Sequence, residues 1–142
     1  MTTLRNNLLI AATVGLMALG GCATTGGSLS SSASRLERNA NALHDEAQDD
    51  DARSGFQRDA RELAEEAREF RRTVEDRSSS KEDMREAFSD VSKRYHAMRD
   101  EVERSQSREA EQEFRPVTEA YLDVEREMRS RDDDRDRYAS DD

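Results

Sequence analysis

From Leu29 onward the apolar residues fall into four matched stripes. The first is Leu29, Ala33, Leu36, Ala40, Leu43, Ala47, and the second is Phe56, Ala60, Leu63, Ala67, Phe70, Val74. The third is Met84, Phe88, Val91, Tyr95, Met98, Val102, and the fourth is Ala110, Phe114, Val117, Tyr121, Val124, Met128. Every stripe steps by 4, 3, 4, 3 and 4 residues. That spacing predicts an α-helix with a single buried seam. Each seam is roughly 27 Å long at the helical rise. Four equal seams with short breaks predict an all-α fold, an up-down-up-down antiparallel four-helix bundle with heptad-type seams. The first seam alternates Leu with Ala and has no aromatic residue. It should pack closely but bury less, and fray or exchange first. A seam this narrow also fits self-association as an oligomeric coiled coil.

The breaks carry matching chemistry. Asp49, Asp50 and Asp51 suit the start of the second helix, where the helix dipole favours anions. Ser79 with Glu82 has the spacing of a capping box for the third helix, and Ser105 and Ser107 offer caps for the fourth. Charged residues fill the outer faces at helical pair spacing, as in Arg61 with Glu65, Arg71 with Glu75, and Asp100 with Arg104. Pro116 interrupts the fourth stripe. It should kink that helix, because Ala110 and Phe114 keep the register across it. The rival parse starts the fourth helix at Pro116 itself.

The segment before the stripes follows another logic. Met1 to Asn7 is polar and carries one cation, Arg5, and Leu8 to Leu19 is apolar or small almost throughout. A charged start and a short apolar run make a signal peptide. The run falls short of the roughly 20 apolar residues of a transmembrane helix. It closes on Leu19-Gly20-Gly21-Cys22, which resembles the lipobox of bacterial lipoprotein precursors. The resemblance covers residues 1–22 only. It implies that the Cys22 thiol receives a diacylglyceryl group, that a peptidase cuts before Cys22, and that an acyl chain such as palmitate caps the new amine. Several acyl chains give stable anchoring where one is marginal. In Gram-negative lipoproteins an Asp after the cysteine commonly retains the protein in the inner membrane. Ala23 therefore implies the outer membrane, facing the periplasm. The bland alternative is an ordinary secretory signal cut near Gly21, with an incidental cysteine.

These readings divide the chain into a signal peptide (1–21), a lipidated Cys22 with a flexible Gly/Ser/Thr tether (22–32), a four-helix bundle (33–130) and a disordered acidic tail (131–142). Charged residues make up 39% of the chain and hydrophobic residues 33%. That composition alone leans toward disorder, and the stripes decide against it. The net charge of −10 argues against nucleic acid, which needs a basic face. It also leaves membrane attachment to the anchor.

Catalytic and cofactor chemistry finds little support. A di-iron bundle needs Glu-x-x-His on paired helices, but Asn41 precedes His44 and Lys93 precedes His96 at that spacing. One cysteine rules out covalent haem through Cys-x-x-Cys-His. Met84, Met98 and Met128 lie on seams, where methionine is normally gap-filling core. His44 and His96 each sit one residue off a seam. The serines lie in loops, so no nucleophile, base and orienter converge. The expectation is no enzyme, no cofactor and no metal. It assigns a structural or protein-interaction role in the cell envelope, through a partner protein or self-association. A carrier of haem, metal or lipid inside the bundle is the alternative. A holdase chaperone is a third reading, against which the narrow seams argue. The Leu-Thr-x-x-Gln motifs of helical periplasmic stress chaperones do not occur, and residues 33–130 resemble no family.

Overall fold

The computed structural model describes residues 28–49 and 54–138. They form four α-helices: α1 Leu29–Asp49, α2 Ser54–Glu75, α3 Lys81–Ser105 and α4 Arg108–Tyr138. The fold is all-α. The helices pack in a ring, each against its two neighbours, with α1 closing on α4 and no diagonal pair in contact. Cross-helix partners run in opposite directions along every neighbouring pair. Glu37 and Asn41 of α1 meet Arg71 and Arg68 of α2, respectively. Glu62 meets Arg94 between α2 and α3, Phe88 and Tyr95 of α3 meet Tyr121 and Phe114 of α4, and Arg35 and Asn39 of α1 meet Asp123 and Pro116 of α4.

The stripes are what the bundle buries. Every stripe residue is buried except Val74, Met84 and Phe88, which are partly buried against the same core. Ala64 and Ala120 complete it from positions beside the seams. The α1 stripe packs closely, and all six of its residues are at most 2% exposed. Their small size explains both facts. Alanine lets α2 and α4 come near, and near neighbours exclude water from the leucines between. Charge pairs then close the rim, with Glu37 held by Arg68 and Arg71 and Arg35 paired with Asp123.

The α3–α4 pair is built the other way. Its backbones make the least close contact of the four neighbouring pairs, because aromatic rings stand between them. Tyr95 and Tyr121 stack with centroids 3.9 Å apart at 7°. Phe114 lies 5.4 Å from Tyr95, Phe88 lies 5.7 Å from Tyr121, and Phe70 of α2 lies 5.7 Å from Phe88. Stacked and tilted rings at these separations add to plain area burial. The hydroxyl of Tyr121 is 2.9 Å from that of Ser92. Burial pushes the Tyr121 phenol above its ordinary pKa.

Several local expectations shift by a few residues. The capping box is Ser80 with Asp83, not Ser79 with Glu82. Asp83 N–H donates to Ser80 Oγ at 3.1 Å, and Ser80 N–H donates to the Asp83 carboxylate at 2.7 Å. Hydrogen bonding to Ser80, above all the donated Ser80 N–H, holds the Asp83 carboxyl below its usual range. Ser79 instead closes the turn by donating its N–H to the Asp76 carbonyl. Asp49 ends α1 and does not start α2, and α2 has no acid in its first turn. Asp50 and Asp51 lie outside the described residues. Arg104 pairs with Glu101 at 2.7 Å rather than with the Asp100 carboxylate, and its Nε donates to the Asp100 carbonyl. The buried Glu101 thereby gains a charged partner.

The bundle's borders also differ from the sequence reading. Helix α1 starts at Leu29, inside the segment read as tether, because Ser28 accepts from the first turn and Leu29 is fully buried. Helix α4 runs through Pro116, so it does not begin there. The proline has no N–H for the Gln112 carbonyl, while Asn39 Nδ2 donates to the Pro116 carbonyl at 2.8 Å. The same helix continues to Tyr138, eight residues into the span read as a disordered tail. Residues 131–138 contain neither Gly nor Pro to stop it, and extending an existing helix needs no new nucleus.

Gln106 joins α3 to α4 with φ 52° in the left-handed region. An L-residue is strained there, and glycine is the usual occupant. Gln106→Gly should therefore raise stability by about 0.5–1 kcal/mol, the roughly 1–2 kcal/mol cost of a left-handed L-residue less the roughly 0.5–1 kcal/mol that glycine loses in chain entropy. That corresponds to a few degrees in a thermal melt followed by circular dichroism. A lowered melting temperature would contradict this turn geometry.

Candidate functional site

Cys22, the predicted lipidation residue, lies outside the described residues, as does the whole signal segment. The described chain begins at Ser28, so the end of the bundle that holds the start of α1 is the end nearest in sequence to Cys22. The antiparallel pairings put the close of α2, the start of α3 and the Met128 level of α4 at that same end. Helix α4 projects ten residues beyond Met128, a length of about 15 Å.

This end is also where the core is incompletely covered. The partly buried apolar residues packed against the core are Val74, Met84, Ala87 and Phe88, all in the last turn of α2 or the first two turns of α3. Between α3 and α4 a cleft is lined by Lys81, Met84, Arg85, Met128 and Arg131. Its cavity volume is about 20 Å³, room for about one water. Two methionines make the apolar floor and three cations make the rim. The cause is visible in the helices. The aromatic row keeps α3 and α4 apart, and past Phe88 no further ring fills the gap. Arg85 also pairs with Glu82 at 3.3 Å.

The histidines are not brought together. His96 is exposed and meets the edges of Tyr95 and Tyr121, at 5.3 and 6.1 Å. His44 lies near the opposite end of the bundle, in an open polar depression with Gln48, Ser54, Gln57, Arg58 and Arg61. Its Nε2 is 2.9 Å from the Gln48 amide, and its Nδ1 is buried without a hydrogen-bond partner. Met98 is fully buried in α3, whereas Met84 and Met128 line the cleft. Among the described residues, no group of three or more His, Cys, Asp or Glu side chains could hold a metal ion.

Met84 and Met128 occupy seam positions, and the spacing of the stripes alone does not reveal the cleft. A signal for it was present in the neighbours of the two methionines. Lys81 and Arg85 bracket Met84 at helical spacing, and Arg131 follows Met128 by three residues. Cations beside the terminal seam residues mark a seam that ends at a polar rim. No family model, no curated protein and no solved structure matches this chain. No described helix is long and apolar enough to cross a membrane.

Proposed function

We propose that the chain is an outer-membrane lipoprotein, anchored through Cys22 and facing the periplasm. Its helical bundle serves a structural or protein-interaction role in the envelope, without catalysis. The observation that carries this reading is Leu19-Gly20-Gly21-Cys22 at the end of a short apolar run. The seven steps from Cys22 to Leu29 span at most about 25 Å. The anchor would therefore hold the start of α1, and the whole end around it, close to the lipid surface. The surface supports an interaction role of a polar kind. Leu122 is the one exposed large apolar residue among those described, and charged side chains cover the outer helix faces. A holdase needs a broad apolar face, which these residues do not supply. Contacts made through charged faces should weaken as salt rises.

The test is the fate of Cys22→Ser in cells. The wild-type chain should fractionate with the outer membrane, with a mass that includes acyl chains. The variant should be released or should accumulate unprocessed. A variant cut to the wild-type length that stays on the membrane would overturn the reading. Crosslinking in cells then identifies the envelope partner.

A further inference from the structure

We infer that Tyr95 of α3 and Tyr121 of α4 form an oxidative modification site, at which a one-electron oxidant joins the two rings by a carbon–carbon bond and staples α3 to α4. The inference goes beyond the lipoprotein reading and does not depend on it. Three observations meet in this pair. The rings are nearly parallel, with centroids 3.9 Å apart at 7°. That is closer than the separation of roughly 4.5–7 Å at which aromatic side chains usually pair. Each hydroxyl reaches the opposite helix. The Tyr121 hydroxyl lies 2.9 Å from Ser92 Oγ on α3, and the Tyr95 hydroxyl donates to Thr118 Oγ1 on α4 at 3.4 Å. The rings therefore overlap head to tail, and the carbons beside each hydroxyl lie within the stack. The two helices make the least close backbone contact of the neighbouring pairs, so they have room to follow the rings as the bond forms.

The chain has three tyrosines and no tryptophan, so its phenols are the aromatic groups most readily oxidised. Tyr95 and Tyr121 are both buried, which keeps a bulky oxidant off the rings. An electron needs no such contact. The exposed ring of His96 stands edge-on to both, at 5.3 and 6.1 Å, and gives the electron a short way out. Burial pushes the Tyr121 phenol above its ordinary pKa, so it is oxidised as the neutral phenol and must shed a proton. Ser92 is half-buried and bonded to that hydroxyl, so it takes the proton and passes one to water. Thr118, also half-buried, serves Tyr95 in the same way. Each phenol gives up one electron and one proton and becomes a phenoxyl radical. The two radicals couple at the ring carbons beside their oxygens. The hydrogens on those carbons then move to the oxygens, which restores both phenols. In sum, two electrons pass to two equivalents of a high-potential one-electron acceptor, such as an oxidised haem peroxidase. Two protons pass to water, and one carbon–carbon bond forms. Holding the reacting carbons in one stack favours this coupling over coupling between chains.

The test uses the full chain carrying Cys22→Ser and Tyr138→Phe, so that no thiol and no third phenol competes. Photogenerated tris(bipyridine)ruthenium(III), with persulfate as terminal acceptor, is the oxidant. The expected product is a monomer in which a proteolytic peptide holding Tyr95 is joined to one holding Tyr121, lighter than their sum by two hydrogens. It should show the blue fluorescence of coupled phenols and exceed covalent dimers by about tenfold or more. The cross-linked chain should keep its helical circular dichroism and melt at a higher temperature, because a cross-link restricts the unfolded chain. Tyr95→Phe and Tyr121→Phe each keep a ring in the stack but remove one phenol, and each should abolish the intramolecular product. Covalent dimers in its place, oxidation confined to the methionines, no coupled product, or a cross-linked chain that melts lower would each overturn the proposal.

Discussion

Leu63→Asp should unfold the domain. Leu63 is fully buried in the middle of α2, at a level where Glu62 already crosses to Arg94 on α3. A carboxylate at position 63 would face the core instead, and the core there is apolar. Burying an unpaired charge costs several kcal/mol or forces its protonation. A domain of this size holds about 5–15 kcal/mol in total. The helical circular dichroism signal should be lost at room temperature, or the melt should move down by tens of degrees. Val91→Asp, at a fully buried position of α3, should behave alike. The comparison that gives the test its force is Arg61→Asp, two residues from Leu63. Arg61 is exposed and makes only a 3.8 Å pair with Glu65, an interaction worth under about 1 kcal/mol. Similar losses at positions 61 and 63 would refute the register of α2.

The seams were legible because a helix repeats its faces. Apolar residues recurring at 3 and 4 must share one face of α2 or α4, whatever lies opposite. Ring order followed, since short breaks leave antiparallel neighbours as the simplest path. What the pattern could not supply was distance between helices. Ala67 and Tyr95 occupy equivalent stripe positions, yet one belongs to a tight pair and the other to a wide one. That difference depends on which side chains meet across the gap, and a single stripe does not contain it. The cleft at Met84 and Met128 follows from the same missing information. Helix ends were the other weak point. Ser79 and Ser80 are chemically the same, and only the partner decides between them. Asp83 reaches Ser80 with both bonds, which fixes the cap one residue later than the sequence spacing suggested. In α4 the acidic run after Met128 argues for a solvated segment, and a solvated segment can still be helical.

Phe70→Ala should cost about 3–5 kcal/mol, the range for deleting a buried aromatic ring. Phe70 is fully buried and touches Phe88 with centroids 5.7 Å apart. Phe88 in turn rests on Tyr121, so Phe70 is the α2 end of the ring row that spaces α3 from α4. Removing it leaves a void next to the part of the core that is already least covered. Two responses are open to the bundle. The α3 start can collapse toward α2, which fills the void and widens the α3–α4 cleft further. Otherwise the void stays and the full cavity cost is paid. Phe88→Ala separates the two effects, because Phe88 is only partly buried and its loss should cost less than that of Phe70. Denaturant melts of both variants measure the difference, with unchanged slope required for a clean comparison. If Phe88→Ala were the more damaging change, the row would be anchored from α3, and the open end of the bundle would be the better-packed one.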